Sequence, residues 1–303
     1  MSKQTFNTEI ENIASKSLGD STSYAVYTDA VDSSLLNPMP RNAGFEAMGF
    51  TTEHLGADVW HGHEMTFLLN SGMPYAGTLK VVYSANTEFM VESKSFKLYL
   101  NTFDMCKMGE TIEEAISNVI TRISDDTTAI VGDLVHVDFF PDNSETQVFD
   151  TAEYTDLQEL VPFETTQITD YLGKEHHLAT VPLGGDHISH YKTNILRSRC
   201  KVTKQRDFGS VFIKVKTSEC VLDAASLLKQ IVSLREQDEF HEFCASKLYH
   251  ELMTTPGVTG CCVTMLYSRR GSLDICPTRA SSVDLLPQAL IDKSVLTRKT
   301  QGQ

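Results

Sequence analysis

Cys200 lies in the stretch ILRSRCKVTKQRDFGS, among Arg197, Arg199, Lys201, Lys204 and Arg206, with Asp207 seven residues further on. Positive neighbours favour the thiolate, the nucleophilic form of cysteine. A carboxyl group beside a turn at Gly209 can serve as acid or base for a reaction at that sulfur. The same spacing also fits a buried cysteine beside a solvated basic edge strand. A second group, DEFHEF, sets His241 and Glu242 side by side between Phe240 and Phe243. An apolar wall with two polar groups at its edge suits a flat heterocycle, whose N–H bonds a glutamate would accept. An amphipathic helix with both groups in solvent would show the same pattern.

A third feature is FMVESKSFKLYLNTF, residues 89 to 103, where Glu92, Ser93, Lys94, Ser95 and Lys97 interrupt an apolar run. It reads either as a helix with one wet face or as part of a pocket for something both hydrogen-bonding and anionic. Ser93, Lys94 and Lys97, with Arg269, Arg270 and Gly271 of YSRRGSLDICP, could clamp phosphates. Neither stretch is a G-x-G-x-x-G or P-loop pattern, so no standard nucleotide-binding fold is indicated. Histidines cluster in WHGHE, EHH and DHISH without a known metal-binding spacing. The seven cysteines include no C-x-x-C pair and read as reduced thiols. No metal site is expected.

These groups sit in a chain of 303 residues with ordinary globular composition, 41% hydrophobic and 22% charged, room for one large core or two domains. Its net charge of −14 argues against a broad basic surface for nucleic acid. No apolar run approaches the roughly 18 residues of a membrane span, and the first residues lack the apolar centre of a signal peptide. A cytoplasmic location is expected.

Residues 1–45, rich in Ser, Asn, Asp and Pro, read as an extended arm. A first module, 46–145, contains the strand-like GTLKVVYSA, then a helix opened by a capping box at Thr111 and Glu114. Ile112, Ala115, Ile116, Val119, Ile120 and Ile123 mark that helix's apolar face. TAIVGDLVHVDFF reads as a further strand or strand pair. Residues 146–185 are polar and turn-rich, a plausible linker. In 186–303 the plan recurs: GSVFIKVKT alternates as a strand, Asp223 caps a helix, EFHEFCASKLYHELM continues in helical period, and VTGCCVTMLYSRRGSLDI reads as a hairpin. The loose repeat points to two related α+β modules.

In combination, ESKSFKLY (92–99), SRCKVTKQRDFGS (198–210), DEFHEF (238–243) and LYSRRGSLDICPTR (266–279) carry a specific resemblance. The chain resembles the NADPH-dependent 7-cyano-7-deazaguanine reductases, the nitrile reductases of queuosine biosynthesis, in their long two-module form. The octapeptide matches the family signature throughout; residues 104–190 match weakly. The family pattern has Trp at Phe208, and Asn and Trp at Cys276 and Thr278. The resemblance implies a tunnelling fold, antiparallel sheets with helices on one face assembled through sheet edges, and a homodimer. It implies NADPH as cofactor and reduction of the nitrile to a primary amine through a covalent thioimidate on Cys200. Asp207 would move protons with help from His241. Val91, Glu92, Ser93, His241 and Glu242 would hold the deazaguanine, and Ser93, Lys94, Arg270 and Gly271 the dinucleotide. Three other readings stand beside this one: a relative that attacks the thioimidate with an amine, a metal-dependent pterin-type enzyme of the same fold, and a deazapurine-binding module without turnover.

Overall fold

The protein is described from a computed structural model covering residues 29–49 and 53–299; most of the expected N-terminal arm lies outside these. One eight-stranded sheet spans the molecule. Its strands are β2 (Leu55–Leu68), β3 (Pro74–Ser84), β5 (Val135–Pro141), β7 (Thr155–Asp156), β8 (Thr180–Arg199), β9 (Arg206–Leu222), β10 (Val258–Tyr267) and β11 (Leu273–Ala280). They lie in the order β5-β3-β2-β11-β10-β9-β8-β7, antiparallel except for the β7–β8 edge pair. Two small pairs flank it, β1 (Pro38–Pro40) with β4 (Phe89–Val91), and β6 (Gln147–Val148) with β12 (Thr297–Arg298). The expected α+β class with an antiparallel sheet is what the structure has. β2 pairs with β11 over eight residues, from Leu55↔Ala280 to Gly62↔Leu273, so the N-terminal and C-terminal parts of the chain share one sheet.

Strand residues alternate between two faces. On one face, Trp60, Leu79 and Val81 pack against α2 (Ser93–Asn101) and α3 (Ile112–Val131). On the same face, Val211, Ile213, Val263 and Met265 pack against α5 (Ala224–Val232) and α6 (His241–Met253). The other face buries Val59, Val82, Phe212, Leu266 and Cys276 under Phe149 and Leu290. The last of these belongs to the short α7 (Gln288–Ile291). Two further α-helices, α1 (Arg41–Met48) and α4 (Leu157–Leu160), and three short 3-10 helices, Ser33–Leu35, Ser233–Glu236 and Val283–Leu285, complete the described elements. Among the described residues no helix is long and apolar enough to cross a membrane.

The helix starts follow local chemistry. Thr111 accepts a hydrogen bond from Glu114 N at 3.2 Å, half of a capping box, while the Glu114 carboxylate turns to Glu110 N at 2.9 Å. Asp223 caps α5 through Ser226 N at 3.0 Å. The stretch TAIVGDLVHVDFF divides differently from the strand expectation. Its first four residues finish α3, Gly132 ends the helix in the left-handed region at φ 80°, and β5 begins at Val135. A short β-branched run has no period of its own, and packing of Val131 into the core decides it. Residues 146–185 contain β6, β7 and α4, and β8 begins at Thr180.

A buried charge cluster closes the seam between the two large apolar clusters. Asp58, fully buried on β2, meets Arg41 of α1 at 2.6 Å and Arg279 of β11 at 2.8 Å. Arg279 in turn donates to Ser246 Oγ of α6 at 2.9 Å and to the Glu242 carbonyl at 3.3 Å. Removing the carboxylate would leave two buried guanidiniums facing each other without a counter-charge, at a cost of about 3–5 kcal/mol. Asp58→Ala is therefore expected to lower the urea-unfolding midpoint by that equivalent, and a loss below about 1 kcal/mol would remove the cluster from this role.

Candidate active site

Arg269, expected to clamp phosphate, stays outside, but ten of the residues expected to do chemistry or binding line one cavity of about 350 Å³ between α2, α6 and the ends of three strands. They are Val91, Glu92, Ser93, Lys94, Cys200, Asp207, His241, Glu242, Arg270 and Gly271. Trp60, Leu273 and Ile275 supply apolar wall, as does Phe240. Phe243, expected beside Phe240 in that wall, instead turns into the core, edge-on to Phe45 at 5.4 Å.

Cys200 follows β8 and opens the tight turn into β9, where its N–H bonds Gln205 O at 2.8 Å. The thiol is half-buried, whereas the other six cysteines are buried, and all seven are free of disulfides. The surrounding cations do not simply charge the thiol's surroundings. Arg199 pairs with Asp238 at 2.7 Å, Lys204 with the same carboxylate at 3.1 Å, and Lys201 with Glu239 at 3.0 Å. Backbone bonds Arg199 N to Gln237 O and Glu239 N to Arg199 O, both 3.0 Å, join the same segments. The basic cluster thus ties the Cys200 turn to the approach of α6, which carries His241 and Glu242.

Asp207, buried at the start of β9, accepts from Arg270 and lies 3.4 Å from His241 Nε2. Burial pushes its carboxyl up, but the hydrogen bonds and charges of His241 and Arg270 outweigh that and hold it below the usual carboxylate range. Arg270 also donates to Gln205. The imidazole of His241 stacks on Tyr267 with ring centroids 3.7 Å apart and planes at 11°. Its Nδ1 is buried without a partner among the described residues.

Glu242 is buried in the first turn of α6, and its carboxyl is raised, first by burial and then by the negative charge of Asp58. Glu92 caps α2, accepting from Lys94 N at 2.9 Å and Ser95 N at 2.7 Å. A carboxylate has about four acceptor positions, so the cap leaves capacity toward the cavity. Ser95 is buried, donating to Glu92 O at 2.7 Å and accepting from Asn37 N at 3.1 Å. The polar run at 92–97 is therefore both a helix start and a cavity wall. Lys97 and Lys94 line the cavity beside Gly271, which adopts φ 54°; a side chain added there would run into the Lys97 ammonium. Such a cation-lined cradle fits phosphate.

Tyr267, Gln205 and Glu239 carry no local signal in the sequence: each becomes relevant only through cross-strand or turn contacts. Of the departures from the family pattern, Phe208 is exposed beneath Arg206, whereas Cys276 and Thr278 are buried on the face away from the helices. None of the three lines the cavity.

A free thiol, an ionised acid with its imidazole, a buried glutamic acid and a cationic cradle around one cavity define an enzyme site on an α+β scaffold. The family described as nitrile reductase, 7-cyano-7-deazaguanine-reductase N-term, matches residues 27–139, and QueF-like protein matches residues 206–284. The NADPH-dependent 7-cyano-7-deazaguanine reductase of Colwellia psychrerythraea is 30% identical over 281 residues, 90% of this chain and 93% of that protein. The archaeosine synthase QueF-Like in its apo crystal form is 21% identical, covering 31% of this chain and 92% of its own, with a TM-score of 0.29. The chain belongs to the 7-cyano-7-deazaguanine reductase family.

The raised Glu242 carboxyl has a consequence for stability. A folded-state pKa above the unfolded value means that stability is greatest below the unfolded pKa and falls as pH rises through the folded one. Glu242→Gln is expected to raise the urea midpoint at pH 8 relative to wild type and to flatten its decline from pH 4.5 upward. Parallel stability–pH curves for the two proteins would show that the carboxyl is not strained.

Proposed function

We propose that this chain reduces the nitrile of 7-cyano-7-deazaguanine to the amine of 7-aminomethyl-7-deazaguanine with NADPH, through a covalent thioimidate on Cys200. The observation that carries this reading is the convergence of Cys200, Asp207, His241 and Glu242 on one cavity, which also meets Lys94, Arg270 and Gly271. The volume, about 350 Å³, lies in the range of small-ligand pockets.

The chemistry follows from the residues. A nitrile carbon accepts hydride poorly, and addition of the Cys200 sulfur makes it a thioimidate with an activated C=N carbon. The S–H bond breaks, the S–C bond forms, and the thiol proton ends on the nitrile nitrogen. Asp207, held ionised by His241 and Arg270, is suited to take that proton and return it to nitrogen, with the imidazole as its partner. The Glu242 and Glu92 carboxyls suit the N–H donors of a guanine-like edge. Lys94, Lys97, Arg270 and Gly271 would hold the phosphates, with Ser93 nearby. Bound NADPH supplies hydride, two equivalents for the four-electron reduction of a nitrile to an amine. The burial of Glu242 and Asp207 supports a water-poor site, which an imine intermediate needs in order to escape hydrolysis.

The substrate would be a free small molecule, in keeping with a net charge of −14, and the working form a homodimer in the cytoplasm. Exposed Val181, Leu183 and Ile188 on β8 are consistent with a sheet edge covered by a second copy.

NADPH oxidation and intact mass test the reading together. Wild type is expected to consume two NADPH per nitrile and, without cofactor, to gain one covalent nitrile adduct. Cys200→Ala should lose the adduct and at least about 10³-fold of turnover. An adduct without NADPH consumption would favour the amine-transferring relative. Neither signal, with nitrile still bound, would favour a binding module.

A further inference from the structure

Behind β11 lies a second group of reactive side chains that the proposed reaction does not use. Leu273 and Ile275 face the cavity, while Asp274 and Cys276 point to the opposite face of the sheet. There Asp274 Oδ1 is 3.0 Å from His61 Nδ1 and 3.5 Å from Cys276 Sγ, and Asp274 Oδ2 is 2.5 Å from His63 Nε2. His61, Asp274 and Cys276 are all at most 2% exposed. One donor atom from each lies within 4.8 Å of the other two. His61 Nε2 is buried without a hydrogen-bond partner. The ammonium of Lys299, reaching in from the C-terminal end of β12, contacts Asp274.

We propose that His61, His63, Asp274 and Cys276 form a structural site for zinc, whose position the Lys299 ammonium occupies when the metal is absent. A thiolate, imidazoles and a carboxylate are the donors a tetrahedral zinc ion takes, with bonds of about 2.0–2.3 Å and donor pairs therefore roughly 3.3–3.8 Å apart. The His61, Asp274 and Cys276 donors, all within 4.8 Å of one another, reach that spacing with shifts of about an ångström, whereas His63, hydrogen-bonded to the other Asp274 oxygen, must turn its ring toward the ion to complete the four.

Charge balance explains the lysine. A buried site must be close to neutral. With Lys299 in place, one ammonium offsets one carboxylate and Cys276 keeps its proton. With zinc in place, two positive charges offset the Asp274 carboxylate and the Cys276 thiolate; the thiol proton leaves to solvent and Lys299 must withdraw. The two states carry the same charge, the nearby Lys80 ammonium adding one positive charge to each, which makes the two cations alternatives. The backbone that carries Lys299 has its own anchor. Lys80 donates to Asp292 O at 2.7 Å and Val295 O at 2.6 Å, so the segment stays docked while the Lys299 side chain moves. The metal would clamp β2 to β11 from behind the cavity wall. This site does not depend on which reaction the cavity performs.

The test uses full-length protein, stripped with a chelator and titrated with Co²⁺ and with Zn²⁺. One Co²⁺ per chain and a near-ultraviolet thiolate-to-cobalt charge-transfer band are expected, with Zn²⁺ displacing the cobalt and raising the thermal midpoint. Cys276→Ser should lose the band and the Zn²⁺ stabilisation, while Cys200→Ala keeps both. Lys299→Met, which removes the competing ammonium, should bind at least about tenfold more tightly. Should Cys276→Ser fail to fold, His63→Ala at the half-exposed ligand carries the test through at least a tenfold loss of affinity. Absence of the band, a band that depends on Cys200, or unchanged affinity in Lys299→Met would overturn the proposal.

Discussion

Asp58 is the point at which the molecule is held together. It lies on β2, its partners lie on α1 and β11, and through Arg279 it reaches the first turn of α6. An unpaired buried ion in that place would cost more than most single apolar contacts contribute, so all four elements must assemble to leave each charge compensated. The same arrangement has a second effect. The negative charge of Asp58 helps keep the nearby Glu242 carboxyl raised. Structural closure and the tuning of a cavity acid thus share one carboxylate, and a change at Asp58 acts on both.

The cavity is built at places where elements start or turn rather than in their middles. Glu92 and the His241–Glu242 pair stand at helix starts, Cys200 and Gly271 in hairpin turns, Asp207 at the first residues of a strand. Backbone groups at such places lack partners within their own element, which explains the dual use of side chains here. Glu92 satisfies two N–H groups of α2 and still lines the cavity. The ion pairs of Arg199, Lys201 and Lys204 do comparable work between two segments, fixing the thiol relative to the imidazole.

This explains what could be read from the chain alone. ESKSFKLY, the Cys200–Asp207 spacing and the adjacent His241 and Glu242 are local patterns; Glu92, Ser93, Lys94 and Lys97 of the first, and both residues of each of the others, line the cavity, while Phe96 and Tyr99 enter the core. Tyr267 beneath His241, Glu239 beside Lys201 and Asp58 between its arginines are 17 or more residues from their partners, with no periodicity to announce them. β2 was obscured for another reason. WHGHE breaks the alternation of apolar residues, and a register shift between Gly62 and Met65 moves the side chains that follow to the other phase. Its histidines invited a metal reading by type while their spacing argued against a known motif. Only pairing with β11 sets His61 opposite Asp274.

Strand alternation then gives β11 two separate tasks. Leu273 and Ile275 shape the cavity, while Asp274 and Cys276 belong to the polar group on the far side. Substitutions on the far side, such as Cys and Thr at 276 and 278, can therefore change what lies behind the strand without touching its cavity face. The constraint that remains is geometric. The strand backbone is common to both faces, and its hydrogen-bond register with β2 admits no one-residue slip, since that would exchange the apolar wall for the charged group. An apolar wall facing the cavity and a buried, compensated charge cluster behind it each penalise such a slip, and together they hold β11 in a single register against β2.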